Sequence, residues 1–450
     1  MKRAAVAFAV GAFCLSILPA GCGGGEVDRG NPDIVLILID GLRYDHLSMN
    51  GYHRQTTPVL DSLATSGAVW NRTQAQSSWT LPATASVLTG LSQRSHQAGF
   101  TGDSFLGIDP ALMTLPLMFQ RRGYQTAGLF NVRFLSEDFG FQQGFDHFDC
   151  HGLTRKPELR NASRTVDDYL TWYDSDRESE RSSFSVVHLF DLHLPYSPPP
   201  PWDTLYSDPK ADPVFNRFWG SNRNDVYMLG WGGGEIDSAQ LDIMVGLYDS
   251  ELRYTDAQIG RLISELRQRN GLDNTIFVVL GTHGEELMDH GSFGHGHSLY
   301  QELLHVPLII SGTGIEPARY SSVAAQYDIL PTLLTMIGQE LPIWVDGHDL
   351  FSLDQLPEAR YVTSSNLLWA DFDLAAVRLN DRVIAGNPQE MTPVLFDLGQ
   401  DPGQLNPMTP GREASDQLFY YWSLPPRGDP PTVDLGEHTQ EILKHLGYFR

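Results

Sequence analysis

The side chains with the most chemical reach fall in a few short segments. Ser78-Trp79-Thr80-Leu81-Pro82-Ala83-Thr84 sets a threonine two residues ahead of a proline. Proline suits the first turn of a helix, where the N–H it lacks has no intrahelical partner anyway. Thr80 is therefore expected at or just before a helix N-terminus, where free N–H groups and the positive dipole end favour an anion. A hydroxyl held there beside a metal can act as a nucleophile, and a threonine there is also a common N-cap. Both readings stand on the local sequence. Asp40, Asp191, His193 and His283 each follow an apolar run, and Gly294-His295-Gly296-His297 sets two imidazoles in a glycine-rich loop. One such histidine is more often packed or solvated than functional. Several after successive strand ends form one rim of ligands or charge-stabilising groups.

The elements that must position these residues are legible as a pattern. Asp33–Ile39 is a nearly continuous apolar run, as expected of a strand buried on both faces. Further strands are predicted at Tyr124–Phe130, Phe184–Leu189, Thr275–Leu280 and Val306–Ile310, and a helix over Ser250–Arg269. The alternation predicts an α/β fold with a mostly parallel central sheet sandwiched by helices. Ligands in such sheets bind beyond the carboxyl ends of the strands, which is where the candidate residues stand. Pro198–Pro201 opens an irregular insertion over about 198–240 that forms a surface rim. After about Leu353 the pattern turns shorter and more polar. A small C-terminal α+β subdomain is expected over 354–450, with strands at Ala375–Leu379 and Val394–Leu398.

Bulk properties bound the rest. A chain of 450 residues that is 41% hydrophobic can bury a large core. A net charge of −24 is a poor match to nucleic acid, so no nucleic-acid partner is expected. Lys2 and Arg3, the apolar run Ala4–Leu18 and Pro19-Ala20-Gly21-Cys22 read as a secretory signal over 1–21. The pattern resembles a bacterial lipoprotein signal, with Cys22 as the lipidated residue and 22–30 as a flexible tether. That places the protein at the bacterial cell envelope, in the periplasm or on the outer surface, held to the membrane by a lipid anchor. Cys14 lies in the signal, so Cys150 has no partner for an internal disulfide.

The order of motifs from residue 31 to about 405 resembles the sulfatases and their phosphate-handling relatives in the alkaline phosphatase superfamily. The matching segments are Asp33–Asp40 with Leu42-Arg43-Tyr44-Asp45, Thr80-Leu81-Pro82 with Leu88-Thr89-Gly90, and Asp191-Leu192-His193-Leu194-Pro195-Tyr196. They continue with Thr282-His283-Gly284-Glu285-Glu286, Gly294–Tyr300, Asp328–Leu334 with Asp346-Gly347, and Leu395–Leu398 with Asp401-Pro402. The resemblance implies an alkaline phosphatase-like catalytic domain over 31–353. It implies that Asp40 and His283, with Thr80, bind one or two divalent metal ions (Zn, Mn or Ca). Thr80 would be the nucleophile. His193, His295 and His297 would hold the sulfuryl or phosphoryl oxygens or protonate the leaving group, and Asn131 would add a polar substrate contact.

Two departures qualify what the resemblance implies. Sulfatases carry a Cys or Ser at the nucleophile position, converted to an aldehyde hydrate, and an Arg in the same motif. Thr80 and Thr84 stand at those positions here, and Thr cannot yield the aldehyde. A Thr nucleophile points to phosphoester chemistry. Thr282 replaces the acid before the metal-binding His, and Gly41 replaces the acid after Asp40, so the metal site is two carboxylates short. Glu285, Glu286 or Asp289 could fill the gap. The expected function is a metal-dependent hydrolase or transferase of sulfate or phosphate esters. The alternative is a catalytically silent relative that binds an anionic glycan or lipid headgroup.

Overall fold

The computed structural model describes residues 31–102, 104–151, 160–208, 236–356, 360–365, 368, 374–387 and 392–435. The expected signal, Cys22 and the tether lie outside the described residues, as does 209–235 of the expected insertion.

Eight strands form the central sheet: β1 (Asp33–Ile39), β2 (Ala68–Gln74), β3 (Gln125–Phe130), β4 (His147–Cys150), β5 (Ser183–Leu189), β6 (Thr275–Gly281), β7 (His305–Gly312) and β8 (Ala318–Ala325). Their order is β8-β2-β7-β6-β1-β5-β3-β4. Every neighbouring pair is parallel except the two made by β7, which runs against β6 and β2. The apolar run at Val306–Ile310 is thus a strand, but the one reversed strand, a direction that composition alone does not encode.

Period-two alternation splits β1 between two cores. Ile34, Leu36 and Leu38 face one core, with Leu81, Ala85 and Leu88 of helix α2 (Thr80–Thr89). Val35, Ile37 and Ile39 face the other, with Leu60 of helix α1 (Pro58–Ser66). There they meet helix α3 (Ala162–Ser175) and helix α4 (Ser238–Gln268) through Val166, Tyr169, Leu252 and Ile259. Helix α4 begins twelve residues before the expected Ser250, at a capping box of Asp237 and Gln240. Its buried Asp249 binds His46 Nδ1 (2.7 Å), the Tyr52 hydroxyl (2.7 Å) and Arg54 (2.6 Å), which fixes the loop after β1.

Beyond residue 360 a four-stranded antiparallel sheet follows: β9 (Val362–Ser365), β10 (Ala375–Leu379), β11 (Arg382–Gly386) and β12 (Val394–Asp397). Helix α5 (Arg412–Ser423) packs Leu418 and Tyr421 on it.

Candidate active site

Register places the site. Ile39 pairs with Leu189 on one side and with Gly281 on the other, so the carboxyl ends of β5, β1 and β6 finish level. Asp40, Phe190 and Thr282 come next on the three strands. Alternation puts Asp40 on the same face as Leu38, towards α2. Leu38 in turn pairs with His188, which shares that face.

Thr80 is the first residue of α2, and Trp79 holds the cap position with an extended backbone and no side-chain cap. The capping role that the local sequence allowed for Thr80 is therefore not the one it plays. Trp79 is fully buried against Phe105 and Phe134, which anchors the helix start. The Thr80 hydroxyl donates to Asp40 Oδ2 (2.9 Å) and lies 3.3 Å from His283 Nε2. The Thr282 hydroxyl donates to Asp40 Oδ1, and His188 Nε2 lies 3.2 Å from the same oxygen. All five residues are completely buried.

The tautomers follow from their partners. The Asn131 backbone N–H reaches His188 Nδ1 at 3.3 Å, so His188 carries its hydrogen on Nε2, facing Asp40. His283 Nδ1 donates to Gly284 O and His193 Nδ1 to Leu194 O, both at 2.8 Å, so Nε2 is the acceptor nitrogen of each neutral ring. The His295 ring bridges the two, with its centroid 4.3 Å from that of His283 and 4.7 Å from that of His193.

Electrostatics reinforce this pattern. Burial pushes His283 and His295 down to about 4, and it takes His193 well below its ordinary value, with His295 adding to the effect. Burial alone would raise Asp40, but His188, His283 and the Thr282 hydroxyl outweigh it and hold the group below the usual carboxylate range. Burial pushes Glu285 up to about 8. Its two oxygens each lie 3.2 Å from His295 Nδ1. A Glu285 that keeps its proton donates to Nδ1 and leaves the ring hydrogen of His295 on Nε2.

Asp40, Thr80, His193, His283 and His295 thus come together in one place. His297 stands beside them, held by Glu286 Oε2 at 2.6 Å. Asn131 does something else. Its amide nitrogen bonds Thr165 Oγ1 (2.9 Å) and the His188 carbonyl, and its Oδ1 accepts from Arg160 (2.7 Å). These contacts are all with protein and make it a brace for His188 rather than an open substrate contact. Sequence reasoning missed His188, although a histidine inside a strand buried on both faces was a usable signal. Among the three acids considered for the gap, Asp289 pairs with Arg43 and Glu286 with His297. Glu285 enters the site. A Cβ at Gly41, whose φ is +67°, would lie 2.7 Å from Leu192 O and 3.1 Å from Glu285 Oε2, so Glu285 fills the space next to Gly41. Ser78 Oγ and Thr84 Oγ1 are buried near Thr80 in sequence and have no hydrogen-bond partner among the described residues.

The sulfatase family matches over residues 32–339, more than half of the chain. The chain belongs to the sulfatase family. It is 24% identical to an arylsulfatase of Clostridium perfringens over 86% of this chain and 92% of the relative. It is 23% identical to human arylsulfatase K over 88% and 82%. A solved structure in complex with its substrate D-glucosamine-2-N,6-O-disulfate superposes with a TM-score of 0.68 at 18% identity, covering 93% of this chain and 98% of the other. The phosphonate monoester hydrolase of Agrobacterium radiobacter does so with a TM-score of 0.68 at 20% identity, over 87% and 94%. The fold is that of the solved structures, and membership makes this chain an enzyme of the sulfate-ester hydrolase family.

Members of the family generally use a divalent metal. At Asp40 the donors do not suit one. Around a single carboxylate stand two hydroxyls that donate to it, and the two further acids are absent, whereas hard cations require several anionic oxygens. Among the described residues one group, Glu286, His290 and Glu302, offers three ligand atoms within 4.8 Å of one another. These are already engaged, His290 Nδ1 with Glu302 at 2.6 Å and Glu286 with His297.

Two outcomes follow. Glu285 keeps its proton between its ordinary value of 4.5 and about 8 in the folded chain but loses it on unfolding, so stability falls as pH rises through that window. Glu285→Gln should therefore be increasingly stabilised relative to wild type from pH 5 to pH 8, with no further gain above. A difference in urea midpoint that is flat across pH would show that Glu285 is ionised throughout. Thr282→Asp sets a second carboxylate against Asp40. In EDTA it should lose about 3 kcal/mol of stability, and calcium, manganese or zinc should restore it while leaving the wild type unmoved. Equal metal responses in denaturation melts would overturn the reading of a site short of charge.

Proposed function

We propose that this enzyme hydrolyses an anionic monoester through Thr80, with phosphate esters favoured over sulfate esters. The observation that carries the reading is the Thr80 hydroxyl, held between Asp40 and His283 at the uncapped start of α2. The N–H groups at that helix start suit an oxyanion. As Thr80 Oγ1 attacks phosphorus, its hydrogen swings from Asp40 to His283 Nε2, 3.3 Å away, and is taken up there; Asp40 stabilises the resulting imidazolium. The bond from phosphorus to the alcohol oxygen breaks. His295 Nε2 protonates that oxygen, and the Glu285 proton moves onto His295 Nδ1. Water then attacks the phosphothreonine and gives a proton back to the His295–Glu285 pair. The Thr80–phosphorus bond breaks, and His283 returns its proton to Thr80. His193 contacts the phosphoryl oxygens, and His297 lies at the edge of the same wall. None of these steps passes through a metal ion. Sulfate comes second because a threonine lacks the aldehyde hydrate by which sulfatases release sulfate.

The anionic ester is carried by a glycan or a lipid headgroup, and the structural neighbour that binds a sulfated sugar favours the glycan. The protein acts at the bacterial envelope on a lipid anchor at Cys22, a reading that rests on the pattern Lys2–Cys22. Labelling of the expressed full chain with a radioactive fatty acid should be lost in Cys22→Ala. Unchanged labelling, or none in the wild type, would remove the anchor.

For the chemistry, acid quenching during turnover of 4-nitrophenyl phosphate should trap a phosphate on the peptide containing Thr80. Thr80→Ala should lower kcat/KM by roughly 10³-fold or more. Full activity in that variant, or a covalent phosphate on another residue, would end the proposal.

A further inference from the structure

The amino edge of the central sheet lies opposite the candidate active site. Asn31 and Pro32 lead into β1 there, Arg121, Arg122 and Gly123 come shortly before β3, and Asn274 leads into β6. The helix Ile329–Met336 follows the carboxyl end of β8 and runs back to this edge, where Met336 lines a cavity with Pro32 and Asn274. Gln339 and Glu340, just past that helix, line a second cavity of about 250 Å³ with Arg121 and Arg122.

The chain continues as Leu341-Pro342-Ile343-Trp344, an apolar loop. Its shape is held. Trp344 packs partly against the core, and its carbonyl accepts from Arg427, which also pairs with Asp346 at 3.0 Å. Even so, Ile343 is fully exposed and Leu341 is 41% exposed. Apolar residues exposed singly are ordinary, whereas adjoining ones mark a contact surface. Arg121 and Arg122 are exposed as well and make no ion pair among the described residues. With Glu340 the cavity lining carries two positive charges and one negative, on a chain whose net charge is −24.

Apolar side chains that enter a lipid interface, with cations beside them for anionic headgroups, are the two contributions that bind a protein peripherally to a membrane. Tryptophan suits the headgroup level. The described residues begin at Asn31 on this edge, and the segment before it holds the apolar run Ala4–Leu18 and Cys22.

We propose that this edge docks on an anionic phospholipid bilayer, with Leu341 and Ile343 entering the interface and Arg121 and Arg122 meeting the headgroup phosphates. The docking stands beside the anchor reading and does not depend on it. Strand β1 spans seven residues at about 3.3 Å each, so Asp40 stands roughly 20 Å further from the bilayer. An ester hydrolysed there is carried in the aqueous layer, which favours the glycan over a headgroup of the bilayer on which the protein rests.

The test places the photoreactive residue p-benzoylphenylalanine at position 343 of the full chain, in a Cys22→Ala background so that no lipid anchor contributes. The protein is mixed with vesicles containing radiolabelled phosphatidylglycerol and irradiated. Lipid should attach at 343. It should not attach when the same residue stands at 205, where Leu205 is 46% exposed beside Tyr206, whose hydroxyl donates to Gln55 O beyond the carboxyl end of β1. Each cation near an anionic bilayer contributes roughly fivefold in binding. Arg121→Glu together with Arg122→Glu should therefore lower the yield at 343 by about 10-fold or more, and labelled phosphatidylcholine in place of phosphatidylglycerol should lower it too. Equal yields at 343 and 205, or a yield unchanged by the two glutamates, overturn the proposal. An adduct of twice the chain's mass makes a second copy the occupant of the loop and overturns it as well.

Discussion

Asp40 is a carboxylate with no exposed surface, standing at the middle of the sheet's carboxyl edge. Moving such a charge out of water costs several kcal/mol unless hydrogen bonds and opposite charge offset it. Each neighbouring element contributes part of that compensation. Helix α2 brings the Thr80 hydroxyl, β6 leads into the Thr282 hydroxyl, and β5 brings His188. The register that ends β5, β1 and β6 level is what lets three strands serve one side chain.

The compensation extends outward. His188 keeps its hydrogen towards Asp40 because Asn131 presents a backbone N–H to its other nitrogen, and Asn131 is in turn held by Arg160 and Thr165. Arg160 also pairs with Asp149 and Asp168, so the outer strand β4 and helix α3 are tied to the same centre. On the opposite side Arg43 binds Asp289 and the Glu285 carbonyl, which locks the chain that carries Glu285 to the turn after β1. The Thr80 hydroxyl is thus positioned by elements that never touch it, and a shift in any of them would be felt there.

Much of this was legible in the sequence, for identifiable reasons. Strands buried on both faces give continuous apolar runs, so β1, β5 and β6 stand out, and the residues just past their ends are candidates by position. The Pro82 signal places Thr80 at the start of α2 correctly. What escaped is what depends on pairing. The reversed direction of β7 is a property of its neighbours. His188 lies within a strand rather than past its end. Asn131 sits at a strand end like Asp40, yet its side chain turns to Thr165 and Arg160, and position alone does not separate the two. The early start of helix α4 was hidden because Gly246 and the β-branched residues near it weaken the helical pattern, while the cap at Asp237 and burial against the core override local propensity.

The exchange of acids around Asp40 has a consistent electrostatic logic. A dication balanced by three or four carboxylates and a cluster of neutral groups around one carboxylate are both near electrical balance, and intermediate sets are not. Thr282 and Gly41 remove two negative charges together, and Glu285, which fills the space next to Gly41, is kept protonated by burial up to about pH 8. The imidazoles of His193, His283 and His295 are neutral for the same reason. In the proposed reaction an entering phosphate dianion changes that balance at once. It favours the imidazolium form of His283, which is the form that follows proton transfer from Thr80. Ligand charge and nucleophile activation are thereby coupled through the same buried ring, in place of the charge a metal would otherwise hold in the site.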